Sequence, residues 1–257
     1  MSDVKGLQLL STLGEDGLLT VELVEQTVSA PKGREVLIRM EAAPINPSDL
    51  GLLFGPADVE NAEYSEGRLV ARMPEGAVRA MKARIGEAMP VGNEGAGTVI
   101  AAGDAPEAQA LLNRRVTCLP GGAYAQYRVV DAGACIVLPD HVSAEQGASA
   151  FVNPLTSLGF TETMKLEGFT GLVHTAAASN LGQMLVKICQ EDGIPLVNIV
   201  RSAAQEKILR DLGAQYVLDS TAPDFLPKLI DAIAETGATL GFDAIGGGTL
   251  AGQILTA

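Results

Sequence analysis

The sequence predicts a protein of class α/β plus β, in which a β-rich first half precedes a doubly wound parallel sheet. Three observations predict this arrangement. Short apolar or alternating runs separated by Gly, Pro and Asp fill residues 1–140. From residue 171 onward, strand-like and helix-like segments alternate. The 257 residues, 47% of them hydrophobic, suffice for two medium-sized domains. We place these domains at 1–145 and 146–257.

The first half contains a series of predicted strands. GLQLLSTL and LLTVELVEQTV flank the turn GEDG and predict a hairpin, and further strands are expected at REVLIRMEAAPI, GAGTVIAAG, RRVTCLP, YAQYRVV and ACIVLP. Together they are typical of a small closed or nearly closed β-structure. A polar, partly helical insertion at about 54–88 interrupts the pattern, and GAVRAMKARIGEA within it predicts one short surface helix. This insertion is either a lid over a cleft or a solvated excursion without chemistry.

The second half begins with HVSAEQGASAFVNPLTSLGFTETM, which predicts a helix capped by Ser143, a break at Pro, and a second helix. Strands are then expected at GLVHTAA, PLVNIVR, AQYVLD and TLGFDAIGG, with helices between them. This alternation implies right-handed crossovers and a parallel sheet covered on both faces. A dinucleotide-binding sheet normally has six strands. With four, the sheet is expected to be incomplete at its C-terminal side or to pair its edge with a partner.

Composition excludes several classes of function. A net charge of −13 argues against binding to nucleic acid or to an anionic membrane surface. We find no secretory signal and no apolar run long enough to cross a membrane. The three cysteines are far apart and lack CxxC spacing, which predicts reduced thiols in a cytoplasmic protein.

A candidate nucleotide loop, HTAAASNLG, lies between the first predicted parallel strand and the next helix. The amides of Asn180, Leu181 and Gly182 open that helix and can bind a pyrophosphate. Gly182 lets the helix pack closely on the strand. Ala177 and Ser179 replace the first two glycines of GxGxxG, so an ordinary tight turn remains an alternative.

The end of the following strand indicates which dinucleotide is preferred. An acidic residue there would bind the adenosine ribose hydroxyls and favour NAD. Here Arg201 and Ser202 occupy that place, and a guanidinium with a hydroxyl suits a 2′-phosphate. NADPH is therefore the predicted cofactor, the alternative being a surface arginine at a strand end. Of the two histidines, we expect His174 to be structural and His141 to be inert.

These segments resemble the medium-chain dehydrogenase/reductase superfamily over essentially the whole chain. The resemblance rests on APINPSDL, VGNEGAGTVIAAG, GGAYAQYRVV, FVNPLTS, AAASNLGQ and DLGAQYVLD. Within that superfamily the chain is similar to the zinc-independent quinone oxidoreductases and the mitochondrial-type enoyl-thioester reductases. The resemblance implies a GroES-like β-domain for substrate and catalysis, followed by a Rossmann domain that binds NADPH.

The resemblance also implies roles for particular residues. Asn46 and Asp49 should line the substrate cleft, the alternative being a structural Asn-Pro-Ser-Asp turn. Asn153 should lie near the nicotinamide, and Thr156 should contact the cofactor. Ser179, Asn180, Leu181 and Gly182 should contact the pyrophosphate, and Arg201 with Ser202 the 2′-phosphate. Where zinc-dependent members carry zinc ligands, this chain has Asn46, Asn93 and Asn153. We therefore expect no metal, since zinc requires Cys, His or acidic ligands.

The catalytic tyrosine of the enoyl-thioester reductases has no counterpart, because the corresponding position is Ala57. Tyr64 is the nearest candidate, with a surface tyrosine as the alternative. The leading hypothesis is a zinc-independent, NADPH-dependent reductase of a small molecule: a quinone, an enone or an enoyl thioester. A nucleotide-binding protein without catalysis is the second, and an NAD-linked alcohol dehydrogenase is disfavoured. The exposed sheet edge and family habit predict a homodimer.

Overall fold

Two long strands form the predicted hairpin on either side of the GEDG turn. The computed structural model describes residues 3–257. The hairpin belongs to a five-stranded antiparallel sheet in the order β4-β5-β2-β1-β6, whose strands are β1 (Val4–Leu13), β2 (Leu18–Val28), β4 (Glu63–Ser65), β5 (Arg68–Arg72) and β6 (Ala88–Pro90). Leu13, Leu19 and Val21 of the hairpin are buried with Met73 and Val91 in one core cluster.

A second five-stranded antiparallel sheet has the order β10-β8-β7-β3-β9. Its strands are β3 (Glu35–Ala42), β7 (Gly95–Ala102), β8 (Arg115–Cys118), β9 (Tyr127–Asp131) and β10 (Cys135–Val137). The first sheet continues into the second, because Leu9 N donates to Tyr124 O (2.8 Å) and Gln126 N donates to Leu7 O (2.9 Å). The nearly closed β-structure expected from the sequence is thus confirmed.

The short helices of this unit are α1 (Pro47–Leu53), α2 (Glu75–Ala80), α3 (Pro106–Gln109) and α4 (Ala144–Gly147). The short surface helix predicted within the 54–88 insertion is confirmed as α2, but the insertion is not the polar excursion expected from the sequence. It contributes β4, β5 and the first residue of β6 to the first sheet in addition to α2. Ala71 and Met73 are buried, and Val78 and Met81 pack against the same core cluster as the hairpin. The segment is therefore part of the β-domain core.

The second half forms a four-stranded parallel sheet in the order β13-β12-β11-β14. Its strands are β11 (Leu172–His174), β12 (Leu196–Val200), β13 (Tyr216–Asp219) and β14 (Leu240–Phe242). The helices are α5 (Val152–Glu167), α6 (Asn180–Asp192), α7 (Ala203–Asp211), α8 (Phe225–Thr236) and α9 (Leu250–Thr256). The predicted fold class, a GroES-like β-domain followed by a Rossmann sheet, is confirmed.

Helices cover both faces of the parallel sheet. Leu172, Leu196 and Val200 pack with residues of α5, α6 and α7 in one cluster. Val173, Val197 and Ile199 pack with residues of α8 in another. Because successive side chains of a strand point to opposite faces, this division follows from apolar runs such as LVNIV.

The two predicted helices and the Ser143 cap are confirmed as α4 and α5, but the break between them lies at 148–151 and not at the proline. Pro154 lies in the first turn of α5, where a missing backbone N–H costs nothing. The chain separates into two compact units, Met1–Phe151 and Val152–Ala257. No helix among residues 3–257 has the length and apolar character to span a membrane.

Candidate functional site

The loop from β11 to α6 adopts a tight turn that requires small residues. Ala176 has φ of 51°, in the left-handed region that non-glycine residues rarely occupy. A Cβ on Gly182 would collide with the carbonyl group of Ala177. The absence of a side chain at Gly182 therefore lets α6 begin close against the loop that follows β11. The conformational strain falls on Ala176 rather than on the motif positions Ala177 and Ser179.

Ser179 is the N-cap of α6, and its Oγ accepts a hydrogen bond from Gly182 N (3.2 Å). The amide of Gly182 is thereby satisfied within the protein. Asn180 and Leu181, the first two residues of the helix, have no carbonyl one turn earlier in the helix to bind. The start of α6 thus directs those two amides and the positive end of the helix dipole outward.

The loop shares a cavity of about 390 Å³ with the ends of β12 and β13. Ala176, Ala178 and Ser179 line one side, and Arg201 with Gln205 lines another. Ser220, which directly follows β13, also lines the cavity, and its Oγ donates to Val200 O (3.0 Å). This is the carboxyl edge of the parallel sheet, where ligands of such folds bind.

Arg201 is exposed, and no carboxylate in the described part of the chain lies within ion-pair distance of it. Its backbone N donates to Gln205 Oε1 (3.0 Å), while Ser202 caps α7 by accepting from Gln205 N (3.4 Å). The guanidinium therefore remains available to an anionic ligand. Ser202 keeps a lone pair and its hydroxyl proton for the same purpose.

The loop after β14 follows the same edge of the sheet and was not predicted from the sequence. Thr175 Oγ1 donates to Asp243 Oδ1 (2.8 Å) and accepts from Ala244 N (2.8 Å). Hydrogen bonds from Ile245 N and from Thr175 lower the pKa of Asp243. Ile245 lines the cavity beside Arg201. Thr175 thus fixes a second loop next to the nucleotide loop.

The other predicted residues of this unit lie on α5. Asn153 and Thr156 are both in its first turns, and Thr156 Oγ1 donates to Val152 O (2.7 Å). The hydroxyl proton of Thr156 is therefore used within its own helix. Its lone pairs can still accept a hydrogen bond from a ligand.

In the first unit, the NPSD motif forms the start of α1. Asp49 is buried, and its carboxylate accepts from Asn46 N (2.7 Å) and from Asn93 N (2.8 Å). Asn46 Nδ2 donates to Glu94 Oε1 (3.0 Å), and Glu94 Oε2 accepts from Phe151 N (2.8 Å). The structure therefore brings Asn46 and Asp49 together in one cluster, which contains two buried carboxylates, those of Asp49 and Glu94. Glu94 was not predicted from the sequence.

The two tyrosines of interest differ in their surroundings. Tyr64 lies in β4, its side chain is 70% exposed, and its hydroxyl donates to Val59 O (3.1 Å). Tyr124 was not predicted; its hydroxyl donates to Pro44 O (2.8 Å). Burial, followed by the negative charge of Asp49, raises the pKa of Tyr124 to about 12. Tyr124, and not Tyr64, belongs to the cluster around α1.

The described residues also bear on the prediction that the protein binds no metal. Among residues 3–257, no group of three or more His, Cys, Asp or Glu side chains is placed to hold a metal ion. The absence of a metal remains a prediction based on the three asparagines.

Comparison with known proteins places these sites in context. No protein-family model matches the chain. The solved structure of a putative NADPH:quinone reductase from Mesorhizobium loti is 31% identical, with a TM-score of 0.71, and the match covers 100% of this chain and 71% of that one. Mitochondrial enoyl-[acyl-carrier-protein] reductase of Mus musculus is 29% identical over 209 residues, 79% of this chain and 50% of that protein.

The chloroplastic quinone-oxidoreductase homolog of Spinacia oleracea is 29% identical over 220 residues, which are 82% of this chain and 59% of that protein. The chain therefore spans about half the length of the curated relatives it matches.

Proposed function

Because the chain belongs to the quinone oxidoreductase and enoyl reductase branch of the medium-chain dehydrogenase/reductase superfamily, we propose that it is an NADPH-dependent reductase. Its substrate is a small molecule with a quinone, enone or enoyl-thioester group. The observation that carries the proposal is the single cavity shared by the nucleotide loop and Arg201. That cavity combines a helix start with an unpaired guanidinium, and both groups favour phosphate.

The residues of this cavity fit NADPH. The amides of Asn180 and Leu181 would hold the pyrophosphate, with Ser179 and Gly182 shaping the turn. Arg201 and Ser202 would hold the 2′-phosphate, and the small side chains of Ala176 and Ala178 leave room for the dinucleotide. Asn153 and Thr156 would face the nicotinamide. When bound, NADPH supplies a hydride, and the protein's own residues bind and orient it.

In the first unit, Asn46 and Asp49 shape the acceptor site. Asp49 acts as a positioning residue, because both of its oxygens hold backbone amides. Asn46 orients its side chain against Glu94. A proton must reach the reduced acceptor, and Tyr64 is the candidate from sequence. For a quinone acceptor the proton can come from solvent, so the reaction does not depend on a tyrosine.

Zinc independence, oligomeric state and cellular location are part of the same proposal. We propose a zinc-independent enzyme, since asparagine amides do not replace thiolate or imidazole ligands. A homodimer is supported by the position of β13 and β14 as the outer strands of the parallel sheet among residues 3–257, since an outer strand can pair with another chain. A cytoplasmic location is supported by three free cysteines.

The direct test is an acceptor screen. Purified protein is mixed with NADPH and a panel of quinones, enones and enoyl thioesters, and loss of absorbance by the reduced cofactor is followed. We expect turnover with at least one acceptor class, unaffected by a metal chelator. NADPH binding without turnover on any acceptor would reject the enzyme and favour a nucleotide-binding protein without catalysis.

A further inference from the structure

Two cysteines of the β-domain face each other across adjacent strands. Cys118 ends β8 and Cys135 begins β10, and the antiparallel register pairs them directly. Both are free thiols. Directly opposed residues of an antiparallel pair project to the same face of the sheet. Accordingly, Cys118 lies in one core cluster and Cys135 packs against it, together with Val116 and Val137.

The hydrogen-bond pattern determines how close the two thiols are. Leu138 N donates to Arg115 O (2.9 Å), which makes these two a hydrogen-bonded pair of the ladder. Hydrogen-bonded and non-hydrogen-bonded pairs alternate along antiparallel strands. Counting three residues back along β10 makes Cys135 and Cys118 a non-hydrogen-bonded pair. In such pairs the Cα atoms are about 4.5 Å apart and the side chains are at their closest.

That spacing suits a disulfide, because the Cα atoms of bonded cysteines lie about 4.4–6.8 Å apart. We propose that Cys118 and Cys135 form an oxidisable dithiol, a modification site at which a small-molecule disulfide introduces a cross-strand disulfide. The third cysteine, Cys189, lies buried in α6 and serves as an internal comparison.

The difference in exposure sets the order of steps. Cys118 is fully buried and Cys135 is half-buried. Cys135 loses its proton and attacks the small disulfide, forming a mixed disulfide and releasing one thiol. Cys118 then loses its proton and attacks Cys135 Sγ, which forms the protein disulfide and releases the second thiol. The protein loses two electrons and two protons, and the small disulfide is reduced to two thiols.

The same burial makes the reaction slow at neutral pH. It raises the pKa of Cys135 to about 11 and that of Cys118 to about 12. Only the thiolate attacks a disulfide. The oxidation rate should therefore rise about tenfold per pH unit between pH 7 and pH 9.

The test uses the full chain and oxidised glutathione at pH 8, with intact-mass analysis and peptide mapping. We expect a product that has lost two hydrogens, carries no glutathione, joins Cys118 to Cys135, and is reversed by dithiothreitol. Cys189→Ser should behave as the unaltered chain. Cys118→Ala should stop at a glutathione adduct on Cys135.

A variant of the half-buried partner, Cys135, controls for misfolding of Cys118→Ala. Cys135→Ala should remain unmodified at Cys118, with an unchanged far-ultraviolet circular dichroism spectrum. A stable glutathione adduct on the unaltered chain, a disulfide that involves Cys189, only intermolecular disulfides, or no oxidation would each overturn the proposal.

Discussion

Acidification from pH 8 to pH 5 should destabilise the second unit by about 2 kcal/mol, with His174 as the cause. The His174 side chain is fully buried in β11. Neither ring nitrogen has a hydrogen-bond partner among the described residues, and the ring of Phe160 lies 5.8 Å away, centroid to centroid. Burial accordingly lowers the pKa of His174 from 6.5 to about 4.

The direction of this stability change follows from which state, folded or unfolded, binds the proton at the higher pH. The folded pKa lies below the unfolded value, so the unfolded chain takes up a proton near pH 6.5 while the folded chain does not. Stability is therefore complete above this pH and falls as the pH approaches 4. The shift from 6.5 to about 4 corresponds to roughly 3 kcal/mol in total, of which about 2 kcal/mol is lost by pH 5.

Urea unfolding followed by far-ultraviolet circular dichroism measures this loss, because the long helices α5, α6 and α8 all lie in the second unit. The chain has only two histidines. In His174→Gln the decline between pH 8 and pH 5 should disappear, whereas exposed His141 changed to Gln should leave it intact. A flat stability profile in the unaltered chain, or an undiminished decline in His174→Gln, would refute the reasoning.

Four further outcomes are expected. Arg201→Ala should reduce the preference for NADPH over NADH about tenfold, which corresponds to about 1.4 kcal/mol of binding free energy. Fluorescence titration with each cofactor measures this preference, and Lys187→Ala, at an exposed position, is the control. An unchanged affinity ratio would exclude a role of Arg201 in binding the 2′-phosphate. Gly182→Ala should lower the free energy of unfolding by about 1–3 kcal/mol through its collision with the loop. By contrast, Gly159→Ala in the open interior of α5 should raise that free energy by about 0.5–1 kcal/mol in the same urea experiment. Tyr64→Phe should leave kcat within about twofold if solvent supplies the proton, and a large loss of kcat would assign that role to Tyr64.

Helices and strands whose apolar residues recur with a regular period were predictable from the sequence, and short edge strands were not. The alternation of apolar runs and amphipathic helices after residue 171 fixed β11 to β14 and their parallel pairing. The strands β4 and β5 were missed because EYS is polar and exposed, and RLVAR is a short apolar segment flanked by two arginines. β5 is held by backbone pairing to β2, and β4 by backbone pairing to β5. Such pairing gives no hydrophobic period to detect.

The residues of the candidate site likewise include some that were predictable from the sequence and some that were not. The nucleotide loop and Arg201 are close in sequence to strand ends, so topology alone places them together. Ser220 and Ile245 follow later strands at the same edge, and the same rule could have found them. Glu94 was not predictable, because a carboxylate is rarely buried and its partners come from distant segments.

The net charge of −13 would seem to oppose an anionic cofactor, yet distance resolves the conflict. At physiological ionic strength, exposed charges farther than about 8 Å from the ligand are largely screened. Acidic side chains distant from the cavity, among the 31 of the chain, would therefore contribute little there, whereas Arg201 and the start of α6 would make direct contacts that salt screens less. Low salt should restore the distant repulsion. Cofactor affinity should thus depend far less on salt than that of a protein that binds phosphate through a broad basic surface.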